Sequence, residues 1–164
     1  MLNGKVILVT GAGGGIGSTT CRVLAQHGAR VVASDVNAEA GQRVASEIQA
    51  IGAEAIFLRA DMASEDSIRS LMDDACDAYG RLDGAFNNAG VEQQNVPIDE
   101  LTLAQWEQCV RIDLTSIFLC LKFQSAALLR SGGGAIVNMA SGLAQIGIPN
   151  AAEYIAAKHG VIGL

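Results

Sequence analysis

Apolar residues come in short unbroken runs separated by longer amphipathic stretches. Lys5–Thr10, Arg30–Asp35 and Glu54–Arg59 are near-continuous runs rather than alternating ones, the pattern of strands buried on both faces. Gly84–Asn87 and Ala135–Ala140 predict two further strands. Between these runs the apolar positions recur at helical spacing. Ile16–His27 predicts a helix closed by Gly28. Ala38–Ile51 carries Val44, Ile48 and Ile51 and stops at Gly52. Ser64 predicts an N-cap for a helix with Ile68, Leu71, Ala75 and Ala78 on one face. A long helix is expected from Thr102 to Leu129 and a last one from Ala151 to the chain end.

Strand alternates with helix throughout. That order predicts an α/β fold, a doubly wound parallel sheet of Rossmann-like form with strand order 3-2-1-4-5, in one domain over residues 1–164. No solenoid repeat or low-complexity segment interrupts it.

Composition narrows the function. Half of the 164 residues are hydrophobic and 17% are charged, enough for a packed core. Aromatics are 4%, so that core is aliphatic. The net charge of −6 argues against a nucleic-acid partner or an anionic membrane surface. Cys21, Cys76, Cys109 and Cys120 form no CxxC and no metal-ligand spacing, which predicts reduced thiols in a cytoplasmic protein without a metal. His27 and His159 add no ligand set. Met1 is followed almost directly by a strand, leaving no room for a signal peptide. The charge-free stretch Ser131–Ala152 holds five glycines and Pro149 and is no membrane helix.

Glycine is the compositional outlier, with 19 residues, and it clusters after the first strand. Gly11, Gly15 and Gly17 fit G-x-x-x-G-x-G, whereas the general G-x-G-x-x-G does not fit. Residues without a Cβ let the backbone turn tightly and approach a pyrophosphate, and the following helix aims its positive end at the phosphates. Asp35 ends the second predicted strand, where a carboxylate can accept hydrogen bonds from both hydroxyls of an adenosine ribose. A phosphate in place of one hydroxyl would face that charge, and neither Ala12–Gly14 nor Val36–Asn37 offers a compensating cation. NAD is therefore the expected cofactor.

Thr10-Gly-x-x-x-Gly15-Ile16-Gly17, Asn87-Asn88-Ala89-Gly90 and Tyr154-x-x-x-Lys158, with Ser141 ahead of Tyr154, together resemble the short-chain dehydrogenase/reductase family. The match runs in register from residue 2 to residue 164. The resemblance implies cofactor contacts from Gly11, Gly15, Ile16, Gly17, Asp35, Asp61, Met62, Asn88, Ala89 and Gly90, and from Tyr154 and Lys158. Asp61 stands at the family's adenine-contacting position. Asn87–Gly90 matches the segment that steadies the central sheet. Family members continue through further strands and a substrate-covering segment, so the resemblance also implies a longer protein. Residues 1–164 by themselves are then expected to be a poor catalyst.

The chemistry of the active set follows from side-chain properties. Moving a hydride between a carbinol carbon and a nicotinamide requires a proton to move at the oxygen. A tyrosine does this as its phenolate, although a free phenol has a pKa of about 10. A lysine at i+4 lies on the same helix face and favours the phenolate electrostatically. Ser141 would hold the substrate oxygen. The family usually has an asparagine in the long helix that anchors a water touching the lysine. Here that position is Asp113. Two outcomes are open: Asp113 keeps the water, or it pairs with Lys158 and weakens the lysine's pull on Tyr154. Glu92–Asn95 reads as a solvated loop. Leu143, Gln145, Ile146 and Ile148 read as walls for a modest, mostly non-ionic small-molecule substrate.

These readings converge on an NAD-dependent oxidoreductase acting on a secondary alcohol or ketone. A 3-oxoacyl carrier-protein reductase shares the motifs, and a non-catalytic dinucleotide-binding protein is the alternative from another class. Leu114–Leu129 carries one charge, Lys122. A helix apolar nearly all round needs cover on both faces, which predicts a homo-oligomer, a dimer or tetramer.

Overall fold

The first strand, β1 (Val6–Thr10), is the centre of the molecule. A computed structural model describes residues 2–164. β1 pairs in parallel with β2 (Arg30–Asp35) on one side and with β4 (Gly84–Asn87) on the other. β3 (Ala55–Arg59) and β5 (Ala135–Asn138) complete a five-stranded parallel sheet in the order β3-β2-β1-β4-β5. This is the predicted doubly wound arrangement, with predicted ends met to within a residue or two.

The two sheet faces are separate cores because alternate strand residues point to opposite sides. Val6, Leu8 and Val32 pack with Ile68, Leu71 and Met72 of α3 (Glu65–Tyr79) and with Leu119, Cys120 and Leu128 of α5 (Ser116–Arg130). Val9, Val31 and Ala33 pack with Cys21 of α1 (Gly15–Gln26) and with Val44 and Ile48 of α2 (Ala38–Ala50). The aliphatic character expected from the low aromatic content holds on both faces.

Ser64 caps α3 as anticipated, its side chain accepting from the Ser67 amide, and Asn37 caps α2 in the same way, accepting from the Ala40 amide. Thr102 and Gln105 form a reciprocal capping box at α4 (Leu103–Val110), satisfying two otherwise orphaned donors. Two stripe assignments are corrected. Ile51 is 65% exposed because it caps α2 instead of continuing it. Ala78 is exposed, and Met72 takes its place beside Ile68, Leu71 and Ala75, as i, i+3, i+4, i+7 spacing requires.

The expected single helix over Thr102–Leu129 is three pieces. α4 runs into a π-helical turn, Arg111–Thr115, and then into α5. A π turn holds one more residue than an α turn, and the Ser116 hydroxyl donates to the Ile112 carbonyl inside it at 2.5 Å. The continuous rod Leu103–Arg130 is long and apolar enough to cross a bilayer by length and composition. In this fold its apolar side is the α5 face laid on α3 and the sheet. Three of the four cysteines are buried, all four are free, and burial pushes the Cys21 and Cys120 thiols up to about 12.

Below the amino ends of the strands, buried Asp83 ties the sheet together. It accepts from the Val6 amide at 3.0 Å, Lys5 at 2.9 Å and Arg81 at 2.8 Å. Burial raises its pKa, but these donors outweigh that and hold the carboxyl well below the usual carboxylate range. α6 (Ala152–Gly163) packs against α4 and the π turn, and follows a short 3-10 turn at Gly142–Ala144.

Candidate active site

A cleft of about 540 Å³ opens along the carboxyl ends of β1, β2, β3 and β4, where a doubly wound sheet presents its ligand site. Its floor begins at the glycine loop. α1 starts at Gly15 with Gly14 as its N-cap, and no side chain caps its first turn, so its amides remain available for an anion. A Cβ on Gly17 would collide with the Gly11 carbonyl oxygen, so only glycine lets the loop fold back onto the helix start. Gly17 itself is buried beneath the loop and does not line the cleft.

At the far end, Asp35 accepts the Gly13 amide at 2.8 Å with Oδ2 and the Asn37 amide at 2.9 Å with Oδ1. Both atoms keep a lone pair toward the cleft they line. Asp61 Oδ1 accepts the Ala63 amide at 2.9 Å, and Met62 completes that wall. Arg59, the register partner of Asp35 on β3, donates Nε to the Val36 carbonyl at 3.2 Å. The chain thus does supply a cation beside Asp35, on the neighbouring strand and not on the segments searched in the sequence.

Opposite the glycine loop, Thr10 Oγ1 accepts the Asn88 amide at 3.0 Å and the Ala89 amide at 3.1 Å. The Asn88 side chain returns hydrogen bonds to the Thr10 and Gly11 carbonyls. Beneath, fully buried Asn87 exchanges hydrogen bonds with Gln124 of α5 at 2.9 and 2.7 Å and donates to Asn138 of β5 at 2.8 Å. The family resemblance assigned the steadying role to Asn87–Gly90. Gln124 was missed because it sits in an otherwise apolar helix 37 residues away.

Of the expected cofactor residues, Gly11, Gly15, Ile16, Asp35, Asp61, Met62, Asn88, Ala89 and Gly90 line the cleft, while Tyr154 and Lys158 stand beyond its end. They are linked to it through Gly90, where a Cβ would come within 2.5 Å of Asp113 Oδ1 and 3.7 Å of Lys158 Nζ. Asp113 lies in the π turn, next to cleft-lining Ile112. It forms an ion pair with Lys158 at 3.0 Å, both side chains being almost wholly buried. Of the two outcomes left open for Asp113, the structure shows the pairing. Lys158 Nζ also donates to the Met139 carbonyl at 3.3 Å and lies 5.3 Å from the centre of the Tyr154 ring. Tyr154 is half-buried. Ser141 Oγ accepts the Leu143 amide at 3.2 Å, and its turn packs against α6. Leu143 is half-buried, and Ile146 and Ile148 are exposed.

Further buried groups adjoin this set. Cys109 approaches Asp113 Oδ2 at 3.6 Å, and burial together with the Asp113 and Glu153 carboxylates pushes its thiol up to about 12. Glu153, buried beside Tyr154, accepts the Gln94 amide at 2.8 Å. The 92–95 side chains are solvated as expected, but Val91 and Glu92 continue the cleft wall. No group of three or more His, Cys, Asp or Glu among the described residues is arranged to hold a metal.

Comparison with known proteins agrees with this geometry. The short chain dehydrogenase profile matches residues 5–164. A 2,5-dichloro-2,5-cyclohexadiene-1,4-diol dehydrogenase of Sphingobium indicum is 43% identical over 164 residues, and a cyclohexanol dehydrogenase of Acinetobacter sp. strain SE19 is 43% identical over 162. Each alignment covers 99% of this chain, and the chain spans 64% of the length of either relative. Among solved structures, levodione reductase and NAD+-bound xylitol dehydrogenase each superpose with a TM-score of 0.95 at 34% identity. They cover 99% of this chain, which corresponds to 64% and 62% of theirs. A metagenomic short-chain oxidoreductase in complex with NADP superposes at 0.94, with 33% identity, over 99% of this chain and 73% of its own.

Proposed function

Because this chain belongs to the short chain dehydrogenase family, we propose that the protein oxidises an alicyclic secondary alcohol to its ketone, or the reverse, with NAD. The observation that carries the reading is the Lys158 ammonium held 5.3 Å over the Tyr154 ring, at the end of a glycine-floored cleft whose other end is Asp35. The cyclic alcohols named for two relatives support the substrate class, as do the apolar Leu143, Ile146 and Ile148.

The cleft suits a dinucleotide. The uncapped start of α1 would hold the pyrophosphate, Asp35 the adenosine ribose, and the free oxygen of Asp61 the adenine amino group. Bound there, the nicotinamide supplies a hydride acceptor. The chain's own residues handle the proton. Tyr154 would take the hydroxyl proton of the alcohol as the carbinol C–H bond gives up its hydride, a role that needs the phenolate, and the Lys158 charge beside the ring favours that form. Ser141 is fixed by accepting the Leu143 amide, which leaves its own proton free to donate to the substrate oxygen. In this reading Asp113 acts through Lys158 and not on substrate. The exposed apolar side of α5, with Phe118 50% and Leu129 77% exposed, favours a homo-oligomer.

The test is NADH formation by the purified protein in its full-length form with cyclohexanol and related secondary alcohols. Tyr154→Phe should lower turnover about a thousandfold and leave the NAD dissociation constant within about twofold, since no cofactor-cleft residue changes. Turnover by Tyr154→Phe near the parent rate would overturn the mechanism.

A further inference from the structure

Glu153 is spoken for by no step above, yet it and Asp113 are the two carboxylates among the described residues with no solvent exposure at all. Its Oε1 accepts the Gln94 amide at 2.8 Å, and its Oε2, equally buried, has no partner. Burying a carboxylate in this state costs stability, and the positive end of α6 offsets only part of that. Cys109 on α4 lies near it and stays a thiol, and the buried ammonium of Lys158 is engaged with Asp113. A side chain that weakens the fold in this way is better explained by what it holds.

It holds the loop that continues the cleft wall beyond Val91 and Glu92. Asn88 and Ala89 are pinned by Thr10. The Val91 amide is pinned by Asp113 Oδ2 at 3.2 Å. From Glu92 to Asn95 the backbone anchor to another element is Glu153. We propose that Glu153 is a positioning residue that sets the Glu92–Asn95 loop, which continues the cleft wall beyond Val91, at a fixed distance from Tyr154, its neighbour in the first turn of α6. Consecutive helical residues point about 100° apart. One turn therefore directs the phenol to the reacting oxygen and the carboxylate to the wall beside it. The proposal rests on the reading of Tyr154 as the proton acceptor. It implies a division of labour: loss of Glu153 loosens the substrate end of the cleft and leaves the cofactor end, held by Thr10, unchanged.

The experiment compares Glu153→Ala, Glu153→Gln and Gln94→Pro, the last removing the donor from the loop side. It measures steady-state constants for cyclohexanol and NAD, and amide hydrogen exchange over residues 88–96 without ligand. Glu153→Ala should raise KM for the alcohol about tenfold with KM for NAD within twofold. Exchange at the Gln94 amide should quicken by a similar factor while residues 88–90 do not change. Glu153→Gln retains a carbonyl acceptor and should restore both quantities to within threefold of the parent. Gln94→Pro should reproduce the alcohol effect without altering α6, so a poorly folding Glu153→Ala does not remove the test. An unchanged alcohol KM with unchanged exchange, equal damage in Glu153→Gln and Glu153→Ala, or a matching rise in KM for NAD would each overturn the proposal. If the parent oxidises no secondary alcohol, the functional reading fails, and the exchange data still decide the clamp.

Discussion

Under the proposed function, Asp35 would serve shape and selectivity together. Its oxygens already hold the Gly13 and Asn37 amides, so its charge is fixed where an adenosine ribose would lie. A 2′-phosphate about 5 Å away would be repelled by roughly 3 kcal/mol at an effective dielectric of ~20. Asp35→Asn keeps an acceptor for one of those amides and removes the charge. Calorimetry should then show the preference for NAD over NADP shrinking by up to about two orders of magnitude, with Arg59→Ala in the same background reversing part of the gain. An unchanged ratio would refute the assignment. Asp113 works in the opposite sense. Asp113→Asn keeps an oxygen for the Val91 amide but leaves Lys158 unneutralised beneath Tyr154. The expected result is faster alcohol oxidation at neutral pH, bought with a lower melting temperature, since breaking a buried ion pair costs about 3–5 kcal/mol. Slower turnover without loss of stability would contradict it. Asp35 was legible in the sequence because a strand end after a glycine loop is a marked position. Arg59 was not, because only the parallel register of β2 and β3 brings it alongside. The pairing of Asp113 with Lys158 was one of two chemically sound options in the sequence, since spacing alone does not place an aspartate and a lysine 45 residues apart.

At the scale of elements, strands and helices were legible wherever pattern and boundary signal agreed. The buried runs, the Ser64 cap and the closing glycines all point to one arrangement. The π turn left no such mark. Arg111–Thr115 is as helical in composition as its surroundings, and the extra residue is stabilised by contacts to the loop after β4 and to α6 that local spacing does not encode. Glu153 and Gln124 were illegible for a related reason, since a polar residue on a helix reads as solvated until its neighbours are placed. The amino ends of β1 and β4 offer a test of a different kind. The folded Asp83 carboxyl titrates below its unfolded counterpart, so its stabilisation is complete above the unfolded pKa of about 3.9 and is lost as pH falls through the folded value. Asp83→Asn should therefore lower the melting temperature at pH 7 and approach the parent's as the pH drops below about 4. A deficit that stays constant from pH 7 to pH 2 would show that Asp83 acts through shape alone.

Across the whole molecule, the glycine loop, Asp35, Asp61, Asn88–Gly90 and the Asp113–Lys158 pair all lie toward one edge of the sheet, while Asp83 braces the other. One apolar surface bears on assembly: Phe118 and Leu129 on α5, with Ile162 on α6, are half or more exposed. Sedimentation velocity at micromolar concentration should show a dimer or tetramer, and Phe118→Glu should shift it toward monomer. A parent that sediments only as monomer would exclude self-association. The hydrogen bonds around Thr10 carry a kinetic consequence. The two walls of the cleft are tied to each other by the chain's own hydrogen bonds, through the Thr10 hydroxyl and the Asn88 side chain. The conformational entropy of shaping that part of the groove is a cost of folding and not of binding. A dinucleotide bound as proposed would be captured at a rate set by diffusion and orientation.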